Sequence, residues 1–437
     1  MNGLLTDLYE LTMAAGYWQA GKCSEIAAFE LAIRRLPPHR NFVIAAGLPQ
    51  IVDYLTNLCF TEEEIDYLYG LPQFARAGPS FWNYLREFRF TGDLFAVPEG
   101  TVLFAGEPVL TLRAPLIEAQ IPETYLLAAL SFPTLIATKA ERCAHAAGGR
   151  PVIEFGTRRA HTAEAGVLGA RASYIGGCAA TSNTLAGMRY GIPLSGTSAH
   201  SWVMSFACEM EAFRKLQATL GEHTVQLLDT YDPVEGARHA AQVGRPLFGV
   251  RLDSGDALAR SRQTRAILDE AGLQDVKIMV SGDLNEFRIR DLLAAGAPVD
   301  SFGVGTELAT SADAPSLSAT YKMVELDIAG IKRFTAKFSE DKHSLPGAKQ
   351  VFRDVARDVV ARSGECGRGE ALLRPVMLGG QLIEPLPTLE QGRERAARML
   401  AALPAAWREL EPAEPWPVIL SRELKALIEQ TRSNLAV

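Results

Sequence analysis

At 437 residues the chain is too long for one simple hydrophobic core, so two or three domains are expected. Its composition, 48% hydrophobic and 22% charged, is that of a soluble globular protein; a net charge of −7 argues against a nucleic-acid partner but leaves room for a local basic pocket. Six cysteines without a CxxC pair, no basic leader before an apolar run and no bilayer-length apolar stretch argue against a disulfide framework, a zinc site, a signal peptide and a membrane span, and point to the cytoplasm.

Residues 4–20 predict an amphipathic helix, with Leu8, Leu11, Ala15 and Trp18 on one face and Thr6 or Asp7 as cap. Glu25 to Arg34 alternates like a strand, and 45–90 reads as helices, one opening on the acids Glu62, Glu63 and Glu64. Residues 92–116, cut by Pro98-Glu99-Gly100 and Gly106-Glu107-Pro108, predict a small antiparallel sheet. A long helix follows over 118–146, with a break expected near Pro133. From Pro151 apolar strands alternate with helices: Val152–Phe155, Ile192–Leu194, Val225–Leu228, Leu247–Leu252, Lys277–Val280 and Val299–Val304, with one more near Tyr174–Ile175. Such βα repetition means a parallel barrel or an open α/β sheet, whose strand tips share one end. Beyond Thr306 come a strand at Tyr321–Asp327, a lysine-bearing loop over 337–349, a strand at Val351–Arg353, a hairpin at Gly379-Gly380, helices at 388–402 and 421–433, and a linker at Pro412–Pro417.

The tips carry the chemistry. Glu154-Phe155-Gly156-Thr157-Arg158-Arg159 should turn one arginine to the mouth and the other away, because neighbours in extended chain point opposite ways. Arg251 and Asp253 are two apart and share a strand face; Asp256 reads as a helix cap. Ser281-Gly282-Asp283 and Gly303-Val304-Gly305-Thr306 expose backbone amides suited to phosphate, and Asp229 and Asp232 add acids. Trp202, Phe206 and Met210 recur at helical spacing, which puts His200 in the first turn of a helix after the 192–194 strand. Free amides and the positive end of the helix dipole gather there and favour a phosphate on or near the ring. A lone histidine is still more often a loop hydrogen-bonder. Together the tips suggest a barrel enzyme handling a phosphorylated sugar with Mg²⁺; no lysine stands at a tip as an isomerase or aldolase would need.

The runs Leu4 to Met13, Glu154 to Arg159, Thr181-Ser182-Asn183, Gly196 to Ser201, Val250 to Asp256, Gly303 to Thr306 and Lys342 to Arg353 resemble nicotinate phosphoribosyltransferases, in order and over nearly the whole chain. The resemblance implies a type II phosphoribosyltransferase: an irregular α/β barrel over 118–335, an N-terminal α+β domain over 1–117 with a small sandwich at 92–116, and a C-terminal segment over 336–437 packed back on it. It implies ATP-coupled transfer from phosphoribosyl pyrophosphate (PRPP) to nicotinate in NAD salvage, with His200 transiently phosphorylated. His200, Arg251 and Asp253 are then the candidate catalytic residues. Phe155 would stack on the pyridine ring, with Tyr9 of the partner subunit of a homodimer on its other face. Thr197 and Arg251 would hold the carboxylate. Arg158, Asp253, Ser254, Gly282, Asp283, Gly303, Gly305 and Thr306 would surround the phosphoribosyl group, and the 337–349 loop would cover the nucleotide. Mg²⁺ is expected with the substrate phosphates rather than in a protein cage, with Asp253 its candidate carboxylate. Asn183 stands where nicotinamide-using relatives carry Asp, which would repel a carboxylate substrate, so Asn183 favours nicotinate over nicotinamide. Quinolinate, with two carboxylates, would demand a denser cationic pocket. The chain departs from the family at Ala179 and Ala180, where Asp and Gly are usual.

Overall fold

The computed structural model describes residues 3–339 and 342–435. The chain divides into two compact units, Met1–Thr134 with Ser316–Val437, and Leu135–Pro315. The divisions fall at 134/135 and 315/316, where the boundaries expected from sequence are 117/118 and 335/336.

The first unit is built on the strand Ile26–Arg35, which pairs antiparallel with Pro108–Pro115 on one side and Ser318–Ile328 on the other, inside a seven-stranded sheet. N- and C-terminal segments thus share one sheet. Residues 93–115 do not form a sheet of their own: Asp93–Ala96 and Pro108–Pro115 join the seven-stranded sheet, and Val102–Leu103 pairs with Val43–Ile44. A second, four-stranded sheet contains Lys349–Arg353, Asp358–Arg362, Glu370–Ala371 and Val418–Leu420. A buried ion pair links the sheets, with Lys349 Nζ 2.7 Å from Glu30 Oε2 and the Lys349 amide donating to Glu30 Oε1 at 3.1 Å. The helix Leu8–Gln19 is capped at Asp7 by backbone only.

The long helical stretch breaks at Ile121-Pro122, into Leu116–Gln120 and Glu123–Ala146, while Pro133 stays inside the second helix. Proline has no N–H, so the Ala129 carbonyl loses its helical donor. Gly47, at φ 112°, packs on that carbonyl, and a Cβ there would fall 2.1 Å from the oxygen.

In the second unit six strands are all parallel, in the order Ala180–Thr181, Val152–Glu154, Ser301–Val304, Lys277–Val280, Gly249–Leu252, Val225–Leu227. Helices follow the strands and are capped by Asn183, Asp232, Asp256 and Asn285 side chains. Two sequence expectations change. Tyr174–Ile175 ends the helix Ala163–Ile175, and the adjoining strand is Ala180–Thr181. Ile192–Leu194 adds only a parallel bridge, Thr181 to Leu194. Pro193 cannot donate to a ladder, so that segment accepts one bond, from the Thr181 amide at 3.0 Å. The α/β class expected from sequence holds: among the described residues the six strands form one parallel sheet with Ala180–Thr181 and Val225–Leu227 as its end strands, and no pairing between those two closes it into a barrel. No described helix is long and apolar enough to cross a membrane.

Glu107, in a turn that looks exposed in sequence, is fully buried and takes the Phe104 amide at 2.8 Å. Burial and a hydrogen bond to Asp358 push its carboxyl well above the usual range, against the pull of Arg353. A raised carboxyl stabilises the fold below its unfolded pKa and loses that contribution as pH climbs toward its folded pKa. Glu107→Gln removes this titration. Thermal unfolding at pH 5 to 8 should therefore show the wild type losing stability toward pH 8 more steeply than the variant; parallel slopes would rule the effect out.

Candidate active site at the strand tips

All six parallel strands end at one side, and Arg251 organises that end. Its Nε donates to Ser281 Oγ at 2.8 Å, Nη1 to Thr197 Oγ1 at 2.7 Å and Nη2 to Asp253 Oδ1 at 2.5 Å. The guanidinium lies 5.6 Å from the Phe155 ring centroid, and both residues are buried. Register explains the grouping: Met279 pairs with Arg251, so Ser281 comes level with Asp253 and donates to its Oδ1 at 2.6 Å. Burial opposes ionisation of Asp253, but the bonds from Ser281 and Arg251 win and hold its carboxyl below the usual range. Asp229, at the next tip, accepts from the Asp253 amide at 2.9 Å and from Ser254 Oγ at 2.6 Å.

His200 lies beside this group. Nδ1 is 3.1 Å from Thr230 Oγ1 and Nε2 is 3.9 Å from Asp253 Oδ2. The helix it opens is shorter than the spacing suggests: His200–Met204 ends, and Glu209–Leu220 starts afresh. Five residues carry little dipole, so Thr230 and Asp253 place the ring.

The glycine positions are tightly packed. Gly282, at φ 89°, faces the Asp253 carbonyl, 1.9 Å from where a Cβ would stand, and Asp283 itself takes φ 48°. A Cβ on Gly303 would lie 2.6 Å from the Phe155 ring, so glycine there lets the ring lie flat beside the strand. Gly305 caps, and Thr306 opens, the short helix Thr306–Thr310. A cavity of about 490 Å³ runs from Asp253, Ser254, Gly282 and Asp283 down between the helices Ala257–Glu270 and Glu286–Ala294 to Leu258 and Leu292.

Arg158 and Arg159 sit in a 3₁₀ turn, Thr157–Arg159, not in extended chain, so both are exposed rather than one facing in. Asn183 is buried; its Oδ1 caps the helix Thr184–Tyr190 through the Ala186 amide at 2.9 Å, and Nδ2 donates to Thr157 at 3.0 Å. Ala179 and Ala180 run into the edge strand, and Ala180 packs with Ile153, Phe155 and Met279. Glu154, whose carboxyl is raised by burial, joins the tip of its own strand to that of the neighbouring edge strand by accepting from the Gly156 amide and from Thr181 Oγ1 at 2.6 Å. Ser281, Thr230 and Glu154 bond to candidate site residues or strand tips in ways that sequence spacing misses, because their partners lie on other segments.

Tyr9 belongs to the first unit, with its ring about half exposed on the helix Leu8–Gln19. Burial of the hydroxyl end, with Glu123 and Glu10, raises it, and burial pushes the Glu10 carboxyl up to about 7. The 337–349 loop lies partly outside the described residues, at 340–341; Lys349 is buried against Glu30 and is not free to cover a ligand. A cleft of about 390 Å³ in this unit carries Arg34, Arg35, Lys322 and His343. Among the described residues no three His, Cys, Asp or Glu side chains group as a metal site.

Residues 4–131, 151–337 and 340–428 match, in turn, the N-terminal domain, the family proper and the C-terminal domain of nicotinate phosphoribosyltransferase (NAPRTase). A Mycobacterium tuberculosis protein named nicotinate phosphoribosyltransferase pncB2 is 44% identical over 99% of this chain and 94% of its own length. The chain belongs to the nicotinate phosphoribosyltransferase family. The human nicotinic acid phosphoribosyltransferase structure superposes with a TM-score of 0.83 at 29% identity, covering 98% of this chain and all of that one. A Pyrococcus furiosus nicotinate-nucleotide pyrophosphorylase structure gives 0.75 at 26% identity, over 92% and 95%.

Arg251→Lys keeps a charge for Asp253 but cannot reach Ser281 and Thr197 in one plane. Losing charged hydrogen bonds of this kind costs about 2 kcal/mol. Calorimetry should show the lysine variant with a clearly lower unfolding midpoint, and an unshifted midpoint would show that the fork is dispensable.

Proposed function

We infer that this chain transfers the phosphoribosyl group of PRPP to nicotinate, forming nicotinate mononucleotide and pyrophosphate in NAD salvage. The observation that carries this is the pairing of the Phe155 ring with the Arg251 guanidinium, a cation that Ser281, Thr197 and Asp253 hold in place. An aromatic face beside a fixed guanidinium suits a flat ring bearing one carboxylate. The nicotinate nitrogen lone pair attacks C1 of the ribose as the C1–O bond to pyrophosphate breaks. Positive charge grows on the sugar, and Asp253, whose carboxyl Ser281 and Arg251 hold below the usual range, would face it. Gly282, Asp283, Gly303, Gly305 and Thr306 would receive the phosphates, with Ser254 and Arg158 at the rim.

Mg²⁺ would neutralise the departing pyrophosphate. Asp229 and Asp253 would hold it together with substrate oxygens; Asp229 Oδ1, buried with no hydrogen-bond partner among the described residues, fits a cation. His200 is the proposed acceptor in ATP coupling. Thr230 engages Nδ1, so Nε2 is left to bond the γ-phosphorus while the bond to ADP breaks; water later cleaves the N–P bond. Pairing in a homodimer, with Tyr9 of the partner subunit over the ring, is supported by exposed Leu5, Leu8, Tyr9 and Met13. Six free cysteines support a cytoplasmic place.

Pyrophosphate release from PRPP should depend on nicotinate; faster release with nicotinamide or quinolinate would overturn the reading. With labelled ATP, the wild type should carry an acid-labile, base-stable phosphate that His200→Ala abolishes, while slow transfer from PRPP remains. Label persisting in the alanine variant would remove His200 from the coupling. Asn183→Asp keeps the helix cap but sets a carboxylate near the substrate's. Its nicotinamide-to-nicotinate ratio of kcat/KM should rise about tenfold or more, as for a gain or loss of one charged contact.

A further inference from the structure

A buried ionic cluster lies behind the glycine tips. Lys139, on the helix Glu123–Ala146, has a side chain 1% exposed, and its Nζ is 2.6 Å from Glu286 Oε2, 2.9 Å from Asp313 Oδ1 and 3.4 Å from Glu307 Oε2. Arg142, one turn on, adds 2.8 Å from Nε to Glu286 Oε1. The carboxylates come from informative places. Glu286 is the first residue of the helix Glu286–Ala294, which follows the Gly282-Asp283 loop, and Glu307 is the second residue of Thr306–Thr310, which follows Gly305. Asp313 lies just beyond that second helix.

An ammonium has three donors, and here three separate carboxylates lie within ion-pair distance of it, with Asp313 Oδ1 accepting a hydrogen bond. Removing such a group from water is costly, and an apolar side chain often serves stability as well. A bare hydrophobic contact would not set the distance between two helix starts. The Gly282-Asp283 loop needs holding, because Asp283 sits at φ 48°, a conformation non-glycine residues avoid. Burial, the largest single influence, would lower the Lys139 pKa, but Glu286, Cys143 and Asp313 together outweigh it and raise it, so the strut stays charged.

We propose that Lys139 is a positioning residue for PRPP: its ammonium fixes the spacing between the Gly282-Asp283 loop and the Gly303–Gly305 loop. This rests on the transferase reading above, in which both loops receive PRPP and nicotinate sits at Phe155 and Arg251. Loosening the strut therefore weakens PRPP binding and leaves nicotinate binding nearly intact.

The test is steady-state kinetics of the full chain with each substrate varied in turn. Lys139→Met should raise KM for PRPP about tenfold or more, with KM for nicotinate and kcat at saturating PRPP changed less than about twofold. Lys139→Arg, which keeps the charge and the donors, should recover most of the loss. A residue needed only for folding would lower the active fraction, and so the apparent kcat, without moving either KM; that result would overturn the proposal. If Lys139→Met does not fold, Glu307→Gln decides, since it unfastens the second loop at a part-exposed position. Its PRPP KM should rise about threefold, and an unchanged value would overturn the proposal. A wild type without nicotinate-dependent pyrophosphate release would overturn the transferase reading as well, whereas an active wild type with unaltered variants overturns this inference alone.

Discussion

The mouth of the parallel sheet depends on one planar cation. Arg251 spends its three nitrogens on three side chains and its face on Phe155, so four separate segments take their spacing from one rigid fork. The consequences run outward. Ser281 and Arg251 keep Asp253 ionised, the Asp253 amide fixes Asp229, and Thr230, next in the chain, steadies His200. A point charge in place of Arg251 would hold one of these partners and release the rest.

Buried carboxylates do the corresponding work elsewhere. Glu99 takes the Gly47 amide at 2.7 Å, Glu107 the Phe104 amide, Glu154 the Thr181 hydroxyl and Glu30 the Lys349 ammonium. Each joins segments distant in the chain or closes a turn that backbone bonding leaves unsatisfied. The overall negative charge is therefore partly internal and says little about the surface that meets the substrate.

The βα rhythm was legible because strand bodies are apolar and tips are polar, which placed Val152, Val225, Val250, Ile278 and Phe302 in strands. Same-face pairing of Arg251 and Asp253 followed from the two-residue period alone. Ala180–Thr181 was not legible, since two residues carry no hydrophobic signal and their place beside Val152–Glu154 comes from a crossover. Ile192–Leu194 had the hydropathy of a strand, but Pro193 denied it a ladder. Ser281 and Thr230 became visible only with strand register. Lys139 looked like any lysine on a helix, because nothing local shows that its partners are Glu286, Glu307 and Asp313.

The contact between Thr230 and His200 has a further bearing. A hydroxyl can donate or accept, so it imposes no tautomer on the ring nitrogen it meets. A carboxylate or a backbone carbonyl in its place would demand a proton on Nδ1 at all times. With threonine there, the imidazole can exchange one tautomer for the other, or take on a substituent at Nε2, by turning a single O–H bond. The ring stays where it is while its bonding changes.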